Sequence, residues 1–320
     1  MKIVIPGGTG QVGQILARHF HRKGHAVTVF SRSPRPAPWR VVPWDGETLG
    51  PWVAELDRSD VCINVAGRSV NCRYTEANRR SILDSRVRST QILHQAVGSI
   101  EHPPAVWLNA STATIYRHAL DRPMDETTGE LGGDEAGAPD TWNFSIQVAK
   151  AWEEAFFSTP TPEIRKVALR SAMTFSPDPG GVFDVFLRLV RHGLGGTIQP
   201  GTQFVSWIHE VDFIRSVEFL IANRQLTGTV NLASPNPLPN REFLHILRRA
   251  WGIQNGLPTS KWMLEVGTFV LRTESELVLK SRQVIPGRLL DAGFKFSYQT
   301  WSEAAQDLVA RWRLGSVPEK

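Results

Sequence analysis

The fold is decided by residues 2–13, which read KIVIPGGTGQVG. Residues 2–5 predict a short strand, and residues 14–22 carry apolar side chains at helical spacing. Glycines stand between these two segments at positions 7, 10 and 13. Such a turn allows a tight bend, close backbone approach to a pyrophosphate, and placement of that phosphate at the positive end of a helix. The stretch therefore predicts a dinucleotide site, with contacts from Gly7, Thr9, Gly10, Gln11, Val12 and Gly13.

Outward from this turn, strand and helix patterns alternate over the first 170 residues. The predicted strands lie at residues 2–5, 26–30, 61–65, 105–110 and 166–169, and the predicted helices at 14–22, 76–97 and 142–157. This alternation is typical of a parallel sheet covered by helices on both faces. We therefore predict an α/β fold with a Rossmann-like doubly wound parallel sheet and a smaller, mostly helical C-terminal substrate lobe.

The pattern loosens after residue 176, and this change suggests the domain boundaries. We predict a nucleotide-binding domain over residues 1–176, to which residues 202–234 return, and a C-terminal lobe formed by 177–201 and 235–320. The three prolines of residues 235–239 make that segment the best linker candidate. Shorter elements follow the pattern less strictly, with strands predicted at 202–208 and 229–232 and helices at 183–192, 211–223, 241–251, 260–271 and 301–312.

Charge and composition narrow the class of partner. The 320 residues include 36 Lys and Arg against 31 Asp and Glu, a net charge of +5. No run of five basic residues occurs, and residues 121–140 hold seven acids against one base. We therefore expect a small-molecule substrate and no nucleic acid, with a homodimer left open.

Other classes are excluded by what the sequence lacks. No window approaches the roughly 18 apolar residues of a membrane-spanning helix, so no membrane partner is expected. The two cysteines, Cys62 and Cys72, match no metal-ligand spacing, and we expect no metal. The amino terminus enters the first strand without a signal-peptide layout, which favours a cytoplasmic protein.

The end of the second predicted strand bears on the type of cofactor. In this architecture an acidic residue there accepts from the ribose 2′-hydroxyl of NAD, whereas an arginine pairs with the 2′-phosphate of NADP. The sequence has Ser31 and Arg32 at this point, followed by Arg35, and no acid. We therefore predict NADP(H), with Ser31, Arg32 and Arg35 on the adenosine side. The alternative is that Arg32 is only solvated.

Several further motifs carry a family resemblance. They are NVAG at 64–67, SRV at 85–87, GLGG at 193–196, SWIH at 206–209, QVIP at 283–286 and AGF at 292–294. With the glycine turn, they resemble the extended and atypical short-chain dehydrogenase/reductase superfamily. Within it they look like the branch of epimerase-family proteins, which is similar to nucleoside-diphosphate-sugar epimerases and ends in a domain of unknown function. The resemblance covers nearly the whole chain.

The resemblance implies further contacts with the cofactor. A third strand would precede Asp45, so that residues 61–65 form the fourth strand and 105–110 the fifth. The loop after the fourth strand would lie along the cofactor, and the next helix would approach from the same side. Thr174 would lie near the nicotinamide, and Asp45 would either meet the adenine or be solvated. The implied residues are Val65, Ala66, Gly67, Ser81, Arg86 and Thr174.

The catalytic pattern of the superfamily is incomplete here. Its catalytic members combine a Ser or Thr after the fifth strand with a Tyr-x-x-x-Lys motif on the next helix. By resemblance, Ser111 contacts the cofactor, Thr112 orients the substrate and Lys150 contacts the ribose. Ile146 stands where the tyrosine is expected, and the branch itself tends to lack this pair. Tyr116 is the replacement candidate, with packing as the alternative.

Two functions from different classes remain open at this point. The first is an NADP(H)-binding oxidoreductase or epimerase acting on a small polar substrate, sugar-like or anionic. The second is a cofactor-binding regulatory or scaffold protein that has lost redox chemistry, which Ile146 motivates. His209 and Asp212 form an additional acid/base candidate, although Asp212 also fits the first turn of a helix.

Overall fold

In the computed structural model, which describes residues 1–161, 163–257 and 276–315, seven parallel strands form one central sheet. They are β1 (Lys2–Pro6), β2 (Ala26–Ser31), β3 (Arg40–Pro43), β4 (Val61–Asn64), β5 (Val106–Thr112), β6 (Arg165–Ser171) and β10 (Gly228–Leu232). The remaining short strands are β7 (Met173–Phe175), β8 (Phe204–Val205), β9 (Trp207–His209) and β11 (Leu238–Pro239).

The helices alternate with the strands over the first half of the chain. Two short 3₁₀ turns lie at Pro51–Glu55 and Ala113–Ile115. The predicted helix at 260–271 lies outside the described residues. The described helices are α1 (Gln11–Arg22), α2 (Glu76–Ser99), α3 (Asp140–Phe157), α4 (Val182–Arg191), α5 (Glu210–Ala222), α6 (Asn240–Trp251), α7 (Glu276–Leu279), α8 (Gly287–Asp291) and α9 (Trp301–Gly315).

Helices cover both faces of the sheet, so the predicted doubly wound α/β fold is confirmed. On one face Phe20 of α1 and Phe213 of α5 pack on the strands. On the other face Leu93 of α2 and Phe156 of α3 pack on Trp107 of β5. A strand that is buried on both faces consists almost entirely of apolar residues. The apolar runs in the sequence therefore predicted these strands.

The strand order places a crevice beside β1. The order is β10-β6-β5-β4-β1-β2-β3, so the chain moves from β1 to one edge and then resumes with β4 on the other side of β1. In open α/β sheets, ligands bind at such a reversal, outside the carboxyl ends of the strands. The glycine turn after β1 and the loop after β4 meet at this point.

Residues beyond β6 build a second apolar core, made mainly by α4, α6 and α9. Its centre is aromatic, with the rings of Phe243 and Trp301 stacked at a centroid distance of 4.4 Å. The strand predicted at 202–208 is in fact two short strands, and neither joins the main sheet. β9 pairs with β7, and β8 pairs with β11.

The predicted linker at 235–239 is wrong. Leu238 and Pro239 form β11, which pairs antiparallel with β8. The Asn236 carbonyl accepts a hydrogen bond from the Trp207 indole at 3.2 Å, and its side-chain amide donates to Gln299 O at 3.0 Å. Prolines suit an edge strand as well as a linker, since neither requires their missing N–H.

Candidate active site

The glycine turn has the shape that a pyrophosphate requires. Gly7 has φ +76°, and a Cβ there would lie 2.5 Å from Ala66 Cα. A Cβ on Gly13 would lie 2.4 Å from Gly8 Cα, so these two glycines allow the turn to pack on the β4 loop and α1 to approach the sheet. At Gly10, by contrast, a Cβ would meet nothing closer than 3.7 Å. The space before Gly10 therefore remains open to a ligand.

The first turn of α1 is suited to bind a negatively charged group. Gly10 is its N-cap, so no side chain caps the helix, and the first turn contains no acid. Among the described residues, the buried Nε2 of Gln11 has no hydrogen-bond partner. A Cβ on Gly181 would lie 2.2 Å from that atom, so the loop after β7 closes over the turn. Unpaired donors at a positive helix end suit a phosphate.

The end of β2 supplies a polar corner beside this turn. Ser31 is buried, and its Oγ lies 3.3 Å from the Thr9 hydroxyl and accepts from Ser33 N at 3.1 Å. Arg32 and Arg35 follow at once and are exposed. Two guanidinium groups in solvent next to a buried serine match the expected surroundings of a ribose phosphate.

Asp45 has a local role in the structure. Its carboxylate accepts from the backbone N–H groups of Glu47 and Thr48 at 2.8 and 2.9 Å, and also from the Thr48 hydroxyl. These hydrogen bonds lower the pKa of the Asp45 carboxyl, since they stabilise its charged form. The side chain shapes an exposed turn, and an adenine contact from Asp45 stays a prediction beside the solvated alternative.

The loop after β4 is fixed against β1. Val65 N donates to Pro6 O at 3.0 Å, and Ala66 N donates to the Asn64 side chain at 3.1 Å. Asn64 is fully buried and donates to Asn109 Oδ1 on β5 at 2.7 Å. Gly67 packs on the Arg86 side chain, where a Cβ would lie 3.2 Å from the guanidinium carbon. The loop therefore links the glycine turn to α2.

A cavity of about 300 Å³ opens at the carboxyl ends of β5 and β6. It lies between α2 and α3 and receives Glu276 and Arg282 from the C-terminal part of the chain. Its polar lining includes Tyr74, Arg86, Ser111, Thr112, Thr114, Ser145, Ser171, Glu276 and Arg282, and its apolar lining includes Val70, Ile82, Phe144, Val148, Ala149, Trp152 and Met173. A small, mostly apolar cleft with a few convergent polar groups is the usual form of a small-molecule site.

Of the predicted catalytic side chains, Thr112 lines this cavity. It ends β5, and its hydroxyl accepts from Thr114 N at 3.2 Å, which fixes the rotamer. Ser111 also lines the cavity, but its hydroxyl donates to Glu153. The predicted Ser/Thr segment therefore reaches the cavity. Within it, the Thr112 hydroxyl is the group that corresponds to the substrate-orienting residue of the superfamily.

The structure shows which face of α3 lines the cavity. The cavity is lined by Ser145 and Ala149, four residues apart, whereas Ile146 and Lys150 are absent from its wall. Ile146 is buried, and both Ile146 and Lys150 lie against Gly133, where a Cβ would be 3.4 Å from Lys150 Nζ. One residue turns the helix by about 100°, so the predicted pair faces a different loop.

Tyr116 does not take the place of the missing tyrosine. Its side chain is buried outside the cavity, where its hydroxyl donates to Asn231 Oδ1 and accepts from Arg170, both at 3.0 Å. Arg170 also forms two hydrogen bonds of 2.8 Å to Glu153. Burial raises the pKa of Tyr116, although Arg170 opposes this. The hydroxyl is committed to a structural network beneath the β5 end.

The tyrosine that does line the cavity is Tyr74, which sequence reasoning missed. Its hydroxyl lies 3.3 Å from the Ser145 hydroxyl, and Ser145 donates to Glu276. Burial, aided by the Glu276 carboxylate, raises the pKa of Tyr74 to about 12. Tyr74 precedes α2 and is distant from Ser145 along the chain, so only tertiary packing brings the two together. The one signal in the sequence that could have drawn attention to Tyr74 is the rarity of tyrosine, since the chain has three.

Other predicted residues lie elsewhere. Thr174 is buried in β7, paired with Ile208, and does not line the cavity. Ser81 is half-buried on α2 and is likewise absent from the cavity wall. Arg86 does line the cavity, five residues further along the same helix.

The candidate pair His209 and Asp212 has structural partners. His209 is fully buried; its Nδ1 accepts from Val211 N at 3.1 Å and caps α5, and its Nε2 lies 3.0 Å from Asp307. Asp212 accepts from Ser297 N and Tyr298 N at 2.7 and 2.8 Å. Both side chains attach α5 to the C-terminal segment, and the acid/base interpretation is not supported.

Comparison with known proteins agrees with this geometry. A model described as the NAD dependent epimerase/dehydratase family matches residues 3–233. The chain belongs to this family. A second model, a domain of unknown function, matches residues 259–308. Glu276 and Arg282 lie within that second match, so its described part contributes to the cavity wall. The predicted family resemblance is confirmed.

Relatives align along almost their full length. The chain is 28% identical over 313 residues to the epimerase family protein YfhF of Bacillus subtilis, covering 97% of this chain and 98% of that protein. It is also 28% identical to the human epimerase family protein SDR39U1, covering 97% and 100%. A crystal structure of human SDR39U1 isoform 2 with NADPH superimposes with a TM-score of 0.83, covering 97% and 99% of the two chains.

Two further features are absent from the part of the chain that the structure describes. None of its helices combines the length and apolarity needed to cross a bilayer. Within the same residues, no group of three or more His, Cys, Asp or Glu side chains is arranged to hold a metal ion.

Proposed function

We propose that this member of the family is an NADP(H)-dependent oxidoreductase or epimerase that acts on a small polar substrate. One observation carries the proposal. The open glycine turn and the cavity lie at the same edge of the sheet, joined by the loop 65–67 after β4. A cofactor bound along this loop would extend from the turn toward Thr112.

The cofactor assignment draws on the fit of the residues around the turn. Gly10, the uncapped end of α1 and the unpartnered Gln11 amide would hold the pyrophosphate. Ser31, Arg32 and Arg35 would surround the phosphorylated ribose, which favours NADP(H) over NAD(H). The solved relative that contains NADPH, at 28% identity, supports the same choice.

The cavity residues supply the proton chemistry. Bound NADP(H) would donate or accept a hydride at a substrate carbon. Thr112 would hold the substrate oxygen by a hydrogen bond, since its hydroxyl lines the cavity and its rotamer is fixed. Tyr74 would donate the proton to that oxygen in the reducing direction. Its pKa of about 12 keeps the phenol protonated at neutral pH while still below that of an alcohol.

A second candidate function is a cofactor-binding protein without redox chemistry. The observation that favours it is the wall of α3, where Ser145 and Ala149 line the cavity and no tyrosine or lysine of that helix does. Neither side chain exchanges a proton as a phenol and ammonium pair does. Under this alternative the cofactor would have a structural or regulatory role.

Hydride transfer separates these two functions. Wild-type protein with NADPH deuterated at C4 of the nicotinamide is incubated with a panel of small aldehydes, ketones and keto acids, and deuterium in the alcohol products is measured by mass spectrometry. We expect transfer, reduced at least tenfold by Thr112→Ala and by Tyr74→Phe because each removes a hydroxyl at the reacting oxygen.

Tyr116→Phe is the matched control. It also removes a phenol hydroxyl, but outside the cavity, so it should lower stability by about 1 kcal/mol and leave transfer within twofold. Binding of NADPH with no transfer by the wild-type protein would instead support the cofactor-binding alternative.

A further inference from the structure

One cation in the cavity wall has an unusual environment. The Arg86 side chain reaches the cavity from α2, and its Nη1 donates to two main-chain carbonyls, Ile82 O at 3.0 Å and Arg68 O at 3.1 Å. Its guanidinium carbon lies 5.1 Å from the ring centroid of Trp152. Within the described residues, no carboxylate lies at ion-pair distance from it.

Two other largely buried arginines nearby are paired with acids. Arg170 pairs with Glu153 at 2.8 Å, and Arg282 pairs with Glu276 at 3.2 Å. Removing a guanidinium from water is unfavourable unless an anion compensates it. Burial lowers the pKa of Arg86 to about 10, so it remains charged at neutral pH. Its compensating anion is therefore expected from a ligand.

The other side chains that line the cavity indicate the size and polarity of the rest of that ligand. Arg86, Arg282 and Glu276 give the described cavity a net charge of +1, which matches one anionic group. Most other lining side chains are apolar, and about 300 Å³ is at the lower end of the roughly 300–1,000 Å³ of small-molecule sites. A compact apolar molecule with a single negative group fits this space.

We propose that Arg86 binds the carboxylate or phosphate group of a compact, largely apolar substrate whose carbonyl or hydroxyl faces Thr112 and Tyr74. This inference rests on the proposed function, confines the polarity of its substrate to one anionic group and the reacting oxygen, and moves Arg86 from the cofactor to the substrate. The glycine turn packs on Ala66, whereas Arg86 packs on Gly67 and Trp152 and faces the ends of β5 and β6.

The test uses benzoate, phenyl phosphate and the neutral analogue benzamide as probes. Each is titrated by calorimetry into the full chain, with and without saturating NADPH. We expect at least one anion to bind tenfold or more tightly than benzamide. Arg86→Gln should reduce that preference to less than twofold, while Arg86→Lys keeps part of it because it keeps the charge.

Arg88→Gln is the matched control, because Arg88 lies on the same helix but is exposed and paired with Asp84. It should preserve the anion preference, and all variants should bind NADPH within threefold of the wild type.

Three outcomes would overturn the proposal. One is equal binding of the anions and benzamide by the wild-type protein, a result that does not depend on any variant folding. The second is an anion preference that survives in Arg86→Gln. The third is a tenfold loss of NADPH affinity in Arg86→Gln with an unchanged anion preference, which would return Arg86 to the cofactor. Failure of the wild-type protein to bind NADPH contradicts the proposed function instead, since the probes are also titrated without cofactor.

Discussion

At the scale of single residues, the role of a polar side chain depends on its partners. Tyr116 and Tyr74 are both tyrosines near the end of β5, but one is bonded to Arg170 and Asn231 and the other lines the cavity. The sequence identified Thr112 through the family resemblance, because the superfamily places a Ser or Thr just after the fifth strand. It did not identify Tyr74, because contacts between distant segments leave no local periodicity.

His209 gives a pH prediction at this scale. Burial lowers its pKa from the usual 6.5 to about 4, although Asp307 opposes the shift. Its Nδ1 must accept from Val211 N, so protonation there would break the cap of α5. The unfolded chain binds this proton more tightly, so the contribution of His209 is fully present above pH 6.5 and is lost as pH falls toward 4.

The measurement is the free energy of unfolding in urea between pH 7.5 and pH 4. The wild-type protein should lose up to about 3 kcal/mol more than His209→Asn over this range, because asparagine caps a helix without titrating. Parallel pH profiles for the two proteins would show that His209 does not carry the effect.

At the scale of elements, α3 shows why a sequence motif alone does not predict which face of a helix lines a cavity. The pairs Ser145 and Ala149, and Ile146 and Lys150, have the same spacing, so each forms one face of a helix. Only packing against α2 and the sheet selects which face meets the cavity. Ile146 and Lys150, which the family motif singled out, lie one residue beyond the face that lines the cavity.

Lys150 therefore yields a prediction about the cofactor. Because its Nζ lies against Gly133 and the residue is absent from the cavity wall, Lys150→Gln should leave the affinity for NADPH within twofold. Fluorescence titration of NADPH checks this, with the exposed Lys23→Gln as a surface control. A tenfold loss specific to Lys150→Gln would mean that this lysine reaches the ribose after all.

At the scale of the whole molecule, the sheet was predictable and the cavity wall was not. Buried parallel strands and amphipathic helices each carry a repeating pattern, and the reversal beside β1 follows from their order. Glu276 and Arg282 reach the cavity because the C-terminal segment crosses the loop after β5, where Lys280 donates to Thr114 O at 2.7 Å. No repeating pattern in the sequence predicts that these two distant segments contact each other.

The most direct test of the proposed NADP(H) function compares NADPH with NADH by equilibrium titration of the wild-type protein and Arg32→Ala. We predict that the wild-type protein prefers NADPH, and that Arg32→Ala weakens NADPH binding by about 1.5–3 kcal/mol, since it removes a charge-assisted hydrogen bond. NADH binding should change less than twofold. Equal weakening of both cofactors, or no binding of either by the wild-type protein, would contradict the account.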